Sequence, residues 1–320
     1  MNLNLLFDNL SNPALLFFIL GIIAVYLKSD LEIPPNSSKF ISLYLLFSIG
    51  FRGGQELSHE TFTSEIAWSM LFAIFTALVI PVYTFFILKR KMNLFDSGAI
   101  AAAYGSVSAV TFVTAVSYLE TQQMSLHGHM VAIMALMESP AIIAGLLLIS
   151  MFNKEASTSI KKRMALRHSL TNGSVLLILG SLLIGFLASA KQAEGIKPFT
   201  DNIFKGFLAI FLLDMGVLSG RKLNSLVASG WFPFAFAIVI PVLNGCIFAL
   251  LSAVITSDIS NRFIFAVLAA SASYIAVPAA MKITVPQANP GLFLPMALAV
   301  TFPINITLGM PLYFHLVQSY

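Results

Sequence analysis

The sequence predicts an all-α integral membrane protein with ten transmembrane helices arranged as two inverted repeats of five. The first observation is composition: of 320 residues, 58% are hydrophobic and only 10% are charged, whereas about 25% of residues are charged in an ordinary soluble domain. The second is that apolar runs follow one another along the whole chain. The third is that short motifs of the first half recur, in the same order, in the second half.

The apolar runs are bounded by charges, prolines and polar clusters, which set the order of the predicted spans. Each span needs about 20 apolar residues to cross about 30 Å of hydrocarbon. The predicted spans cover residues 13-28, 38-51, 66-88, 97-118, 126-151, 174-190, 203-218, 231-255, 262-281 and 291-317. Spans 2 and 7 are short for a full crossing, so their ends are the least well defined.

The distribution of Lys and Arg predicts the orientation of these spans. With the amino terminus outside, the odd-numbered loops are cytoplasmic and hold 13 of the 18 basic residues. The outer loops hold the other five, which are Arg52, Lys191, Lys197, Lys205 and Arg262. This bias follows the positive-inside rule. It predicts a multi-pass protein of the cell inner (plasma) membrane with both termini outside, and it explains the net charge of +4 without a nucleic-acid partner.

Five motifs relate the two halves, one for each pair of equivalent spans. They are Ile19-Leu20-Gly21 with Ile178-Leu179-Gly180, Gly50-x-x-x-Gly54 with Gly216-x-x-x-Gly220, Ile80-Pro81-Val82 with Ile240-Pro241-Val242, Ser106-x-x-Ala109-Val110 with Ser273-x-x-Ala276-Val277, and Pro140 with Pro303. Because each half has an odd number of spans, the second half is inverted. We therefore divide the chain into a first five-helix repeat (1-152), a cytoplasmic linker (153-173) and a second, inverted repeat (174-320). Inverted repeats are typical of secondary transporters, whose substrate site lies near the midplane.

Spans 4 and 9 carry matched interruptions at residues 104-111 and 271-278. Gly and Ser tolerate unwound backbone and Pro removes a helical hydrogen bond, so we expect both helices to break inside the membrane. Two facing half-helix amino ends present N–H donors and partial positive charge, which suits a small anion. The alternative interpretation is close packing of small residues at a helix crossing. Their matched positions in inverted halves favour a binding site.

Charged residues are sparse inside the predicted spans, where only Glu138 and Asp214 lie deep and no Lys or Arg does. Glu138 precedes Pro140, at which we expect span 5 to break. A carboxylate at membrane depth is costly, so each is interpreted as a cation ligand or a proton carrier, or alternatively as a hydrogen-bonded helix-packing residue. With no basic side chain to neutralise an anion, a co-bound cation is expected. Sodium prefers hard oxygen ligands, and the candidates for these are Glu138, Thr111, Asp214, Thr301 and Asn305, beside the serines of both breaks.

Other classes of protein are disfavoured by what the sequence lacks. It has no nucleotide-binding loop, no HExxH motif and no Ser/His/Asp arrangement with supporting context, so an ATP-driven pump or a membrane protease is not expected. His127 and His129 stand two apart, which is poor spacing for joint metal binding, and we interpret them as a solvated helix end. We therefore predict no catalytic residues, no metal centre and no cofactor apart from sodium as a coupling ion.

At these residues the chain resembles the sodium-dependent bicarbonate transporter family. The resemblance extends over essentially the whole chain and depends on an ordered set of motifs, each of which is unspecific alone. They are Asn12-Pro13-Ala14, Ile49-Gly50-Phe51-Arg52-Gly53-Gly54, Tyr104-Gly105-Ser106-Val107-Ser108, Met137-Glu138-Ser139-Pro140-Ala141, Ser271-Ala272-Ser273-Tyr274-Ile275 and Val285-Pro286-Gln287-Ala288-Asn289-Pro290.

This resemblance implies core and gate domains, a homotrimer, and bicarbonate held between the broken helices with sodium nearby. The substrate-binding residues that it implies are Gly105, Ser106, Val107 and Ser108, facing Ala272, Ser273 and Tyr274. Where the family pattern has an acidic residue after the serine of the second broken helix, this chain has Tyr274. A PII-like regulatory protein is a further partner that the resemblance suggests, although the central loop here is short.

We therefore predict a sodium-coupled symporter that imports bicarbonate, or a similarly small monovalent anion, by alternating access. A first alternative keeps the fold but carries an organic monocarboxylate with sodium or proton coupling, which a larger cavity would favour. A second alternative, of another class, is a membrane ion sensor or scaffold that binds without transporting. An intramembrane enzyme is not expected, because neither deep carboxylate has an evident nucleophile or metal partner.

Overall fold

The computed structural model describes residues 12–153, 173–227 and 230–320. Within these ranges the regular structure is entirely helical. The predicted linker and its basic cluster at residues 154–167 lie outside the described residues.

The helices follow the order of the predicted spans. They are α1 Pro13–Tyr26, α2 Pro35–His59, α3 Ser64–Leu88, α4 Leu94–Gly105, α5 Ala109–Thr121, α6 His129–Phe152, α7 Gly173–Leu187, α8 Ala190–Glu194, α9 Phe204–Val227, α10 Trp231–Leu251, α11 Ile259–Ala270, α12 Ala276–Thr284 and α13 Pro290–Ser319. A π-helical turn, Pro198–Asn202, precedes α9, and a 3-10 turn, Ser252–Val254, extends α10. Helix α13 contains two π-helical stretches, Met296–Thr301 and Asn305–Gly309.

Six helical segments of the described chain are long and apolar enough to cross a membrane, which is consistent with a membrane protein. They are Ser64–Leu88, Leu94–Thr121, His129–Phe152, Pro198–Leu223, Trp231–Val254 and Pro290–Ser319. Helices α1 and α11 are shorter apolar helices, as is Val175–Leu187 within α7. Helix α2 is 25 residues long and α9 is 24, so the short lengths predicted for spans 2 and 7 are wrong. In the polar last part of α2, Gln55 donates hydrogen bonds to the Gly185 and Ala188 carbonyls.

At each of the two helix breaks a serine hydroxyl accepts a hydrogen bond from a backbone N–H of the following half-helix. The first break separates α4 from α5, where Ser108 Oγ accepts a hydrogen bond of 3.1 Å from the Thr111 N–H. The second separates α11 from α12, where Ser273 Oγ accepts one of 3.3 Å from the Val277 N–H. Pro278 lies in the first turn of α12, where the missing N–H needs no helical acceptor. The interruptions predicted in spans 4 and 9 are thus present.

The predicted break in span 5 is wrong. Helix α6 continues through Glu138, Ser139 and Pro140 without interruption.

The prediction that Arg52 and Arg262 lie in outer loops is also wrong. Arg52 lies within α2, and Arg262 is buried within α11, where it donates hydrogen bonds to the carbonyls of Val317 at 3.2 Å and Ala249 at 3.1 Å.

The repeated glycine motifs pack helices of the first half against helices of the second. A Cβ added at Gly21 would collide with the backbone of Leu213 and Gly216 on α9, and one added at Gly54 would collide with the backbone around Gly185 on α7. Backbones approach this closely because no side chain intervenes. Helix α1 therefore packs on α9, and α2 on α7.

The helices form two layers. The four-helix layer contains α1, α2, α7 and α9, whereas α3, α4 and α6 pack together in the broken-helix layer, as do α10, α11 and α13. The half-helices α5 and α12 contact α11 and α4, respectively, and so belong to the broken-helix layer as well. One cluster of buried apolar side chains extends through both layers.

Contacts between helix ends define two faces of the molecule. Glu60, after α2, accepts a hydrogen bond of 2.7 Å from the Gly128 N–H, before α6. Asp96, in the first turn of α4, accepts one of 2.7 Å from the Asn289 N–H, before α13. We call the face with Glu60 the first face and the face with Asp96 the second face. Which of them is extracellular stays a prediction.

Replacing Gly216 with Ala is expected to destabilise the fold. Its Cβ would overlap the Phe18 carbonyl and Gly21 Cα, and overpacking of this kind costs about 1–3 kcal/mol. Gly206, on the same helix, has open space where a Cβ would stand, so Gly206→Ala is the matched control. Thermal unfolding in detergent should show a lower Tm for Gly216→Ala than for Gly206→Ala. Equal Tm values would contradict the close helix contact.

Candidate substrate site

The two helix breaks contact each other directly. The Ser108 N–H donates a hydrogen bond of 3.1 Å to Ser271 Oγ, and the Ser273 N–H donates one of 2.8 Å to the Ala103 carbonyl. Each bond joins the first broken helix to the second. The sequence-predicted segments are therefore brought together in the broken-helix layer.

A small space, the central cavity, lies beside these breaks. Its lining residues are Leu46, Val107, Ser108, Ala109, Met134, Glu138, Ile178, Ser273, Tyr274, Ile275 and Ala276. Leu46 and Ile178 belong to the four-helix layer, so the cavity lies between the two layers. Its volume is about 30 Å³. Because one water molecule needs roughly 10–15 Å³ of such space, the cavity has room for about two or three water-sized groups.

The amino ends of two half-helices border the central cavity. Ala109 is the first residue of α5 and Ala276 the first of α12, and both line the cavity. The first N–H groups of a helix have no intrahelical acceptor and carry partial positive charge. This arrangement suits a small anion.

Glu138 supplies the acidic side chain of the cavity lining, which includes no Lys or Arg. The residue is only 8% exposed and lies on α6, one turn after Met134, which also lines the cavity. No ion pair or hydrogen bond joins its carboxylate to another residue in the described part of the chain. A buried carboxylate without a partner is costly unless a cation or a proton compensates its charge.

The other predicted sodium ligands do not line the central cavity. Thr111 is buried in the first turn of α5, beside Ser108. Thr301 Oγ1 donates to the Ala237 carbonyl and hydrogen-bonds the Tyr104 hydroxyl, both at 2.8 Å. Asp214 accepts a hydrogen bond from Ser38.

Asn305 does not line the cavity but donates a hydrogen bond to the carboxyl end of α11. Breaking the helix leaves its last carbonyls without intrahelical donors. Asn305 donates to the Ala270 carbonyl at 2.6 Å, and Asn244 donates to the Ala269 carbonyl at 3.2 Å. Asn244 was missed by sequence reasoning, although a buried amide in an apolar span is a signal that could have identified it.

Three of the residues implied as substrate-binding lie outside the cavity lining, namely Gly105, Ser106 and Ala272. A Cβ at Gly105 would collide with the ring of Pro81 on α3, so this glycine permits close helix packing. Ser106 Oγ is buried and has no hydrogen-bond partner among the described residues. Val107, Ser108, Ser273 and Tyr274 do line the cavity.

Tyr274 places an aromatic ring between the two layers. Its hydroxyl lies 3.9 Å from Met215 Sδ on α9, and its ring packs edge-on against Phe302, with the ring centroids 6.2 Å apart. Its side chain also interacts with Ser108 of the first break. An aromatic residue thus occupies a position where the resemblance predicts an acidic one.

A larger cavity of about 380 Å³, the vestibule, opens on the first face. Its lining residues are Ile49, Phe51, Arg52, Gly53, Gln55, Glu56, Val116, Glu120, Ser125, Leu126, Ala190, Ala193, Glu194, Lys197, Thr200 and Asp201. Along α2, Leu46 lines the central cavity and Ile49 lines the vestibule, one turn later. Along α5, Ala109 lines the central cavity and Val116, two turns later, lines the vestibule. The two cavities therefore lie in series, an arrangement that sequence reasoning missed.

The two histidines on the first face do not form a metal centre. No group of three or more His, Cys, Asp or Glu that could hold a metal occurs among the described residues. His129 is buried, with Nδ1 at 2.8 Å from Glu60, so its interpretation as part of a solvated helix end is wrong. The pKa of His127 is raised, because it hydrogen-bonds Asp258 and faces Glu60.

Comparison with known proteins identifies the family. The family model of the Na+-dependent bicarbonate transporter superfamily matches residues 13–318. A search of curated proteins returns no match. The matched region includes every helix described above and both helix breaks, and membership of a transporter family indicates that the protein is not an enzyme. The resemblance predicted from the sequence motifs is thereby confirmed: the chain belongs to the Na+-dependent bicarbonate transporter superfamily.

Proposed function

We propose that this protein is a sodium-coupled symporter that imports bicarbonate, or a similarly small monovalent anion, across the cell inner (plasma) membrane. The observation that carries the proposal is the central cavity. Two half-helix amino ends and one carboxylate border a space of about 30 Å³ whose lining has no basic side chain. A cation and a small anion bound together satisfy this combination of charges.

Charge balance explains why the anion would need sodium. Each half-helix amino end contributes about +0.5 charge, so two contribute about +1. Ionised Glu138 and a monovalent anion contribute −1 each, which leaves about −1 uncompensated. One sodium ion neutralises that charge. Hydroxyl, carbonyl and carboxylate oxygens around Glu138, Ser108 and Ser273 are the hard ligands that sodium prefers.

The two layers supply the moving parts of alternating access. In this proposal the chain forms ten spans in two inverted repeats, 1-152 and 174-320, with the four-helix layer as the gate domain and the broken-helix layer as the core domain. The glycine contacts support this assignment, because they pair α1 with α9 and α2 with α7 across the two repeats. The central cavity lies between the layers, so movement of the core past the gate would carry it towards either face.

Cavity size bears on the substrate. Space for about two or three water-sized groups favours a compact anion over a larger organic monocarboxylate. Three further features stay predictions. The resemblance implies the homotrimer and the PII-like regulatory partner, and the distribution of Lys and Arg implies that both termini lie outside.

The experiment is uptake of labelled bicarbonate into proteoliposomes containing the purified protein. Uptake should require an inward sodium gradient, fail when choline replaces sodium, and be competed by formate or nitrate more strongly than by acetate. Equal uptake driven by a proton gradient, with choline in place of sodium, would show that the transporter is coupled to protons and not to sodium. Binding without uptake under any gradient would identify a sensor instead of a transporter.

Anion affinity is expected to depend steeply on sodium. Because coupling between two binding sites is reciprocal, bicarbonate should tighten sodium binding by the same factor as sodium tightens bicarbonate binding. Calorimetric titration of each ligand, with and without a saturating concentration of the other, measures both factors. Equal bicarbonate affinity in sodium and in choline would contradict the coupling.

A further inference from the structure

Four charged side chains from four segments meet at the vestibule. Arg52 Nη2 lies 2.6 Å from Glu120 Oε1, and Arg52 Nε lies 3.1 Å from Asp201 Oδ1. Lys205 Nζ lies 3.4 Å from the second Glu120 oxygen, Oε2. Arg52 and Lys205 belong to α2 and α9 of the gate, and Asp201 to the π-helical turn before α9. Glu120, on α5, is the member from the core.

Glu120 is rigidly connected to the central cavity. It lies in the last turn of α5, whose first residue, Ala109, lines that cavity. A helix of 13 residues is about 20 Å long, so this one element joins the charged network to the cavity. Two gate cations that hold Glu120 therefore also hold the amino end of α5 at the cavity.

The network is protected in part from solvent. The Arg52 side chain is 33% exposed and that of Glu120 is 22% exposed. The Arg52 guanidinium also lies 5.7 Å from the centre of the Phe204 ring. Partly buried, multiply paired charges are screened less by salt than isolated surface pairs.

A second polar contact between gate and core lies on the same face. Glu60, after α2, accepts hydrogen bonds from the Gly128 N–H at 2.7 Å and from His129 Nδ1 at 2.8 Å. On the second face, the ion pair of Arg221 with Glu32 joins two segments of the gate itself. The ion pairs of Glu120 with Arg52 and Lys205, and those of Glu60 with His127 and His129, therefore join gate to core on the first face.

We propose that the Arg52–Glu120–Lys205 network is a conformational latch that holds the core against the gate at the first face. The inference rests on the proposed function, since a latch matters only if the core moves past the gate. To reach its other position, the core must withdraw Glu120 from both cations. Breaking the network should therefore increase the population in which the first-face ends of the two layers are separated.

Distances between spin labels measure that population without requiring transport. Labels are placed at Ser125→Cys, between the core helices α5 and α6, and at Ala190→Cys in α8, between the gate helices α7 and α9. Both residues line the vestibule, and the background is Cys246→Ser. In lipid nanodiscs, Glu120→Gln should raise the long-distance population about three- to fivefold. Arg52→Gln should have a similar effect, and the double variant should show less than the sum of both, because the two residues share one interaction.

The matched control is Glu56→Gln, which removes the same charge from the same vestibule at a residue outside the network. Its distance distribution should equal that of the unsubstituted labelled protein. The Lys205 side chain is exposed, so Lys205→Gln should fold normally. It should shift the distance distribution in the same direction as Glu120→Gln, but by less.

Two outcomes separate the latch from the proposed function. If Glu120→Gln and Lys205→Gln both give the distribution of Glu56→Gln while the unsubstituted protein transports bicarbonate with sodium, the latch is wrong and the function stands. If the distances shift as expected but no variant transports bicarbonate, the latch is supported and the proposed substrate or coupling is wrong.

Discussion

Glu138→Gln is expected to remove most of the sodium activation of bicarbonate uptake. Glu138 is the acidic residue that lines the central cavity, and it is buried without a partner in the described part of the chain. Replacing a carboxylate ligand by an amide should raise the sodium concentration for half-maximal uptake at least about tenfold, which corresponds to about 1.4 kcal/mol of binding free energy. Initial uptake rates measured over a series of sodium concentrations test this.

Asp214→Asn is the matched control, because it makes the same chemical change at a second buried carboxylate in a membrane helix. Asp214 is hydrogen-bonded to Ser38 and lies outside the cavity lining, so its substitution should leave sodium activation close to wild type. Identical sodium activation in wild type and Glu138→Gln would show that Glu138 is a helix-packing residue. Neutral oxygens would then have to hold the sodium.

Ser273→Leu is expected to reduce uptake below about a tenth of wild type, because the larger side chain fills the cavity. The residue lines a space of about 30 Å³ at the amino end of α12. Leucine also removes the hydroxyl that accepts a hydrogen bond from the Val277 N–H. Uptake and equilibrium bicarbonate binding should both be lost, while the protein elutes normally in size-exclusion chromatography.

Ser273→Ala separates the two effects of that substitution. Alanine removes the same hydroxyl without filling the cavity, and loss of one hydrogen bond of this kind costs roughly 0.5–1.5 kcal/mol. Ser273→Ala should therefore keep measurable binding that Ser273→Leu lacks. Unchanged bicarbonate binding in Ser273→Leu would place the anion site elsewhere in the molecule.

The helix breaks could be predicted because their causes are local. Glycine, serine and proline favour unwound backbone wherever they occur in a membrane helix. The same logic failed at Pro140, where α6 continues without a break. A single proline removes only one helical hydrogen bond, and neighbouring structure can accommodate that loss.

The assembly of the site could be predicted only in part. The sequence identified Ser108, Ser273 and Glu138, which meet at the central cavity. It also nominated Thr301 and Asn305 because both have oxygen atoms, but those atoms are used in hydrogen bonds within the protein. Whether a buried oxygen is free for a ligand depends on which donors and acceptors surround it, and distant segments supply these.

The sequence by itself determined that this is an α-helical membrane protein, that its helices break near residues 104–111 and 271–278, and which residues repeat between its halves. Those properties follow from hydropathy and backbone preference, which act over short stretches of chain. Only the tertiary structure decided that Gly21 meets Gly216 and that Arg52 pairs with Glu120. Such pairings join residues far apart in sequence, and packing across the two layers selects them, so no local pattern encodes them.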